Sequence, residues 1–406
     1  MQSHSKLIGG ILLVSGTTIG AGMLALPVST GLAGFFPSVL LLIAFWVYMT
    51  FTAFLMLEVN LWMEPQTNLI SMAKNTLGRT GEVISWAAYL FLLYSLTTAY
   101  VAGSGPIVID IVESLTGYQM PAWAGSVPLL LIFGFFVYKG TKSVDYVNRF
   151  LMLGLVVSYG LLIIFLTPHV DIKLLKYSDP KFLLMAVSIV ATSFGFHIII
   201  PTLTTYFERN VSRIRQAIFI GSAIPLIVYI IWEVLCLGIV PLEGKFGLAE
   251  GYAIGTNGAH LLSGILGTTA IAQAARVFAF FAIVTSFLGV SLSLTDFLAD
   301  GLKIKKNRGG RLLLYLMVFL PPLIFTLTDP RAFLSALEYA GAYGVVILLG
   351  LMPALMVWAG RYHLHFKSTY RTPGGKIALV CVILISLLVI AIELAHKSGL
   401  INFLKY

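Results

Sequence analysis

Charge is scarce in this chain. Only 11% of its 406 residues are charged, 58% are hydrophobic, and the mean hydropathy is +0.94. A soluble globular domain carries about 25% charged residues, so that class is excluded and a polytopic membrane protein is indicated. Cysteine is nearly absent. Cys236 and Cys381 both fall in apolar runs without metal-ligand spacing, which implies neither a disulfide framework nor a metal centre. No HExxH motif or Cys/His cluster is present, no low-complexity tract, and no appended polar domain. The formal charge of +9 sits in short loops, where membrane topology explains it and nucleic acid is not needed. Only Lys6 precedes the first apolar run, which is too long for a signal-peptide core and is expected to remain in the mature protein.

What is present is a series of long apolar runs. About eleven are helical span candidates, at 7–36, 37–61, 83–113, 124–140, 147–167, 182–206, 214–240, 267–298, 311–328, 332–358 and 377–396. This predicts an all-α polytopic membrane protein with one transmembrane domain over 1–406. With the N-terminus inside, 18 Lys and Arg face the cytoplasm and 7 face outward, Lys405 among them, while Arg276 lies within a span. That bias predicts a cytoplasmic N-terminus and a periplasmic C-terminus. Within the connection 62–82, Asn75 to Gly81 has room for a short surface helix. The glycine-rich segment from Pro241 to His260 is expected outside, folded partly over an external entrance.

Two runs are interrupted. Thr17-Thr18-Ile19-Gly20-Ala21-Gly22 leads to Pro27, and Ser193-Phe194-Gly195-Phe196-His197 leads to Pro201, 174 positions later. The same offset places Thr18 on Thr192. Glycine and proline weaken a helix by roughly 1 and 3 kcal/mol relative to alanine, and broken backbone at membrane depth must be buried in protein or line a cavity. Gly20-Ala21-Gly22 also suits close helix packing. Matching interruptions in two halves, however, point to a secondary transporter's site. A break exposes amide donors at one new end and carbonyls at the other, so two facing breaks suit a zwitterion without a buried charged side chain.

Other residues carry more than one reading. Phe194 and Phe196 either wall a side-chain pocket or pack. Tyr94 and Thr98 share a helix face at i, i+4, with Thr97 and Tyr100 nearby; each either meets a substrate or joins helices. His197 either binds a phenol or indole, carries a proton, or makes a structural hydrogen bond. Glu233 is either a proton-coupling group or an interfacial or ion-paired structural one, and Thr285 and Ser286 either offer hydroxyl oxygens to a small cation or bond the backbone of their own helix. Arg276 is expected to pair with a carboxylate, and Glu338 and Glu393 to be interfacial or ion-paired. An enzyme built on His197 and Glu233 would need a third group orienting the histidine. A channel would need continuous polar faces, whereas polarity here is concentrated at breaks.

Gly16-Thr17-Thr18-Ile19-Gly20-Ala21-Gly22-Met23-Leu24-Ala25-Leu26-Pro27, Thr192-Ser193-Phe194-Gly195-Phe196-His197, Thr285-Ser286-Phe287-Leu288-Gly289-Val290 and Asp296-Phe297-Leu298-Ala299-Asp300 together resemble the bacterial aromatic amino acid permeases over essentially the whole chain. The resemblance implies a LeuT-like inverted five-plus-five repeat with broken first and sixth helices: first repeat about 7–167, second about 182–358, extra helix about 377–396. It implies an inner-membrane importer, not an enzyme, that moves tyrosine or a related aromatic amino acid by proton symport through alternating access. Sodium coupling and a tryptophan preference are the alternatives. No cofactor, metal or obligate protein partner is implied beyond the substrate, the coupling ion and the bilayer. By resemblance, the first-span break and the break around Gly195 bind the substrate, and the sodium position of coupled relatives falls near Thr285 and Ser286. Some proton-coupled relatives carry a lysine in the fifth span; Leu151 to Phe165 contains none.

Overall fold

The computed structural model describes residues 2–65, 67–118, 120–267 and 270–400; Lys405 lies outside them. Among the described residues there is no strand, and the chain is a helical bundle. The elements that position the site are α1 (Gln2–Thr18), α2 (Phe35–Trp62), α3 (Leu69–Thr116), α4 (Val127–Lys139), α5 (Thr141–Leu166), α6 (Leu183–Ser193), α7 (Ile200–Tyr206), α8 (Val211–Leu237), α9 (Ala270–Gly301), α10 (Arg308–Thr328), α11 (Ala332–Tyr339), α12 (Met352–Tyr362) and α13 (Gly375–Lys397).

Among the described residues nine helices are long and apolar enough to cross a membrane, the stretch Pro180–Tyr206 counted as one. A tenth span is the bent pair Lys6–Thr18 and Ala21–Ala33, which turns by 45° at Ile19-Gly20. The run at 124–140 yields only the 13-residue α4, short of the ~20 residues that cross a bilayer unaided. The eleven expected spans therefore correspond to nine full-length helices, one bent pair and one short helix. All of this makes a multi-pass membrane protein.

Local chemistry accounts for the breaks. After Thr18 the backbone at Gly20 is extended (φ −156°, ψ −166°), and a short 3-10 turn, Ala21–Ala25, leads to Pro27 near the start of the next helical segment. In the sixth run, α6 ends at Ser193, a 3-10 turn spans His197–Ile199, and Pro201 sits in the first turn of α7. Proline is tolerated there because a first-turn N–H has no helical partner. Elsewhere α3 is kinked at Gly78, where φ is +68°, which separates a short helical segment from the membrane span. The connection after α8 folds into two buried-face helices, Leu248–Ile254 and Gly258–Leu266.

Packing centres on α9, which lies against α3 and α5, while α1 runs along α8. Between α11 and α12 the chain is π-helical over Ala340–Leu351. There Gly341 meets α6 so closely that an added Cβ would sit 1.8 Å from the Ser188 carbonyl oxygen. Only glycine permits that approach. Ion pairs fasten both ends of the bundle. Glu58 and Arg361, both nearly fully buried, form a two-pronged pair that also accepts from the Thr372 N–H. Lys397 bonds Glu338 at 2.7 Å, and Ser188 donates to Glu393 at 2.7 Å.

Candidate functional site

The two breaks face each other. The Tyr229 hydroxyl of α8 lies 2.7 Å from the Thr18 carbonyl oxygen and 2.8 Å from that of Ser193. Each is at the end of a half-helix, where carbonyls lack helical donors, so one buried phenol serves both. On the other side of the first break, the Ala21 N–H donates to Ser286 Oγ at 2.9 Å. Gly20 makes that contact possible: a Cβ there would lie 2.8 Å from Ser286 Oγ.

Between the breaks is a cavity of about 320 Å³, at the small end of the range for ligand pockets. Thr17, Thr18, Gly20 and Gly22 line it from the first break, and Thr192, Ser193 and Gly195 from the second. Helix α3 contributes Tyr89, Leu92, Leu93, Leu96 and Tyr100, one face at helical spacing. Asn148 and Met152 enter from α5, Thr285, Ser286 and Ser293 from α9, and Val345 from the π-helical segment. The Asn148 side chain reaches this wall, while its Oδ1 is buried away from the cavity without a hydrogen-bond partner, which in a finished interior is uncommon. No Asp, Glu, Lys, Arg or His is in the wall. The arrangement offers amide donors, carbonyl acceptors and an aromatic-aliphatic wall, which together suit a small neutral zwitterion with an apolar side chain.

Several sequence candidates stand elsewhere. Tyr94 donates to the Met317 carbonyl at 2.8 Å and Thr98 to the Tyr94 carbonyl at 2.8 Å, so both serve the bundle and neither lines the cavity. Phe194 is buried against Tyr229, ring centroids 5.4 Å apart, and Phe196 rests on His197 at 5.1 Å. His197 Nε2 and Thr52 Oγ1 are 2.8 Å apart, which matches its structural reading. Glu233 is buried outside the cavity wall, 2.9 Å from Thr30 Oγ1. Ala21 is buried outside the cavity wall, its N–H held by Ser286 Oγ. Thr285 reaches the wall while donating to the Phe281 carbonyl at 2.8 Å. Arg276 lies 3.6 Å from Asp110, and Glu338 and Glu393 flank Lys397. Among the described residues no group of three His, Cys, Asp or Glu is placed to hold a metal ion.

The model of the tryptophan/tyrosine permease family matches residues 3–393. The chain belongs to that family. Tyrosine-specific transport system 1 of Haemophilus influenzae is 33% identical over 98% of this chain and 99% of the relative. The tryptophan-specific transport protein of the same organism is 32% identical over 98% of both chains. The tyrosine permease of Enterobacter agglomerans is 29% identical over 93% of both. These are transporters, not enzymes.

Two further cavities flank the permease's central one. A space of about 670 Å³ lies at the end of the bundle that carries the N-terminus, and Tyr89 and Ile198 belong to both its wall and that of the central cavity. A space of about 600 Å³ lies at the opposite end, reaching Trp123, Asn257 and His260. It shares no residue with the central cavity. Phe333 and Ile283 pack on Gly103 in the layer between them, where an added Cβ would lie 2.8 Å from the Phe333 ring. Of these two spaces, only the one at the N-terminal end shares wall residues with the central cavity. Asn148, Tyr89 and the aliphatic face of α3 were missed from sequence; a polar amide inside an apolar run was the available signal for Asn148.

Proposed function

We propose that this permease imports an aromatic amino acid, tyrosine in the first place, across the bacterial inner membrane by proton symport. The observation that carries the reading is the uncharged central cavity held between two helix breaks. The N–H groups of Gly20 and Gly22 take the substrate carboxylate. Carbonyls of the breaks take the ammonium group, and Tyr89, Leu93 and Tyr100 wall the ring. The names of the relatives support an aromatic substrate. Tryptophan is the second reading, favoured by the tryptophan-specific relative.

The architecture fits an inverted repeat, 7–167 and 182–358, whose first and sixth helices are broken, with 377–396 as an extra helix. Taking the N-terminus as cytoplasmic and the C-terminus as periplasmic, the larger vestibule is the inner one and the conformation is inward-facing. Packing of Phe333 and Ile283 on Gly103 then forms the closed outer barrier, and alternating access requires that layer to part.

Glu233 is the proton carrier in this reading. Thr30 Oγ1 has one proton and lies 2.8 Å from the Leu26 carbonyl and 2.9 Å from Glu233 Oε1. With that proton given to Leu26, the second contact is a hydrogen bond when Glu233 carries a proton of its own. Glu233 Oε2 is buried without a partner, and an isolated buried anion costs several kcal/mol. Ser286 faces an amide N–H, an unfavourable neighbour for a sodium ion. The test is tyrosine uptake into proteoliposomes with a pH gradient and a sodium gradient imposed separately. Accumulation under the pH gradient supports the reading; accumulation under sodium alone overturns the coupling, and none under either overturns tyrosine symport.

A further inference from the structure

The vestibule that shares Tyr89 and Ile198 with the central cavity has a composition of its own. Three aromatic rings meet in its wall: Trp86 and Phe297 at 5.4 Å between centroids and 34° between planes, Tyr89 and Phe297 edge-to-face at 5.0 Å. Trp86 is seated on backbone, since a Cβ added to Gly301 would lie 3.3 Å from its ring. Such a cluster offers π-faces and edges to another ring at little cost in side-chain entropy. Beside it stands Asp300, one residue from the end of α9. Its neighbour Asp296 is held by Lys306 at 2.7 Å, whereas the Asp300 carboxylate has no hydrogen-bond or ion-pair partner among the described residues. The carboxyl end of α9 adds partial negative charge at the same place. The site therefore favours a cation attached to an aromatic group.

We propose that this vestibule is a second binding station for the transported amino acid, in which the ring lies against Trp86, Tyr89 and Phe297 and the ammonium group pairs with Asp300. The occupant is argued from continuity, because Tyr89 and Ile198 line both spaces, and from the match of ring and cation. The inference rests on the transport reading above. The stations differ in what they read: the central cavity takes carboxylate and ammonium together, whereas the vestibule takes ring and ammonium.

That difference makes the test. Binding of radiolabelled tyrosine to the purified full-length protein is measured at saturation, with tyramine, which lacks the carboxylate, as competitor. Two tyrosines per chain are expected, one of them displaced by tyramine. Asp300→Asn, a change at an exposed carboxylate, is expected to weaken tyramine at least tenfold and leave one tyrosine bound. Phe297→Ala is expected to act in the same direction. One tyrosine per chain in the wild type, or tyramine displacing equally in Asp300→Asn, overturns the second station. If that wild-type protein still takes up tyrosine in proteoliposomes, the transport reading survives. Neither binding nor uptake overturns both.

Discussion

Replacing Gly20 with alanine tests the geometry of the first break. The new Cβ would lie 2.8 Å from Ser286 Oγ but 3.9 Å from Ser286 Cβ, so the conflict is with the hydroxyl alone. The hydroxyl must turn away and its bond from the Ala21 N–H, 2.9 Å long, is lost. A hydrogen bond contributes about 1 kcal/mol net, and the displaced atom adds about 1 kcal/mol of crowding. The sum of about 2 kcal/mol corresponds to roughly a 30-fold loss of apparent affinity for tyrosine. Ser286→Ala loses only the bond, roughly fivefold. Combined, Gly20→Ala and Ser286→Ala should be no worse than Ser286→Ala, because the Cβ then meets nothing closer than ordinary contact. Independent effects would multiply to roughly 150-fold. Concentration-dependent uptake in proteoliposomes, normalised to protein inserted, separates the two; a multiplicative loss refutes the contact.

Tyr229→Phe removes the donor shared by the Thr18 and Ser193 carbonyls, and should cost about 1–3 kcal/mol, seen as a lower thermal midpoint and a higher KM; unchanged values would detach Tyr229 from the breaks. Tyr94→Phe should leave KM unchanged while Tyr100→Phe raises it, because only Tyr100 lines the cavity; the reverse order would move the site to the other face of α3. Glu233→Gln should retain tyrosine binding and lose accumulation driven by a pH gradient, and retained accumulation would free Glu233 of proton coupling.

The breaks were legible because glycine and proline act locally. Gly20 with Pro27 and Gly195 with Pro201 each put a glycine and a proline within one or two turns, and their matched spacing pointed to one site, whereas the lone Pro106 and Pro225 stay inside continuous helices. The face of α3 was not legible in the same way. Tyr94 with Thr98 and Tyr89 with Tyr100 are both plausible stripes, and only the packing of α10, whose Met317 carbonyl takes the Tyr94 hydroxyl, decides between them. His197 shows the same limit: it follows the break by two residues, yet its partner Thr52 is 145 positions away. Asn148 was not singled out, because a lone amide beside Arg149 does not show which face of its helix meets a cavity. The pairing of Arg276 with Asp110 and of Glu338 with Lys397 followed from the general cost of unpaired charge in a membrane.

The central claim is that an aromatic amino acid occupies the cavity between the two breaks. Its most direct test is radiolabelled tyrosine uptake by the wild type and by Gly22→Leu, with unlabelled tryptophan, phenylalanine and leucine as competitors. Inhibition by the aromatic amino acids and not by leucine, with uptake lost in a Gly22→Leu protein that still inserts, is the predicted result. Equal inhibition by leucine, or normal uptake by Gly22→Leu, would contradict it.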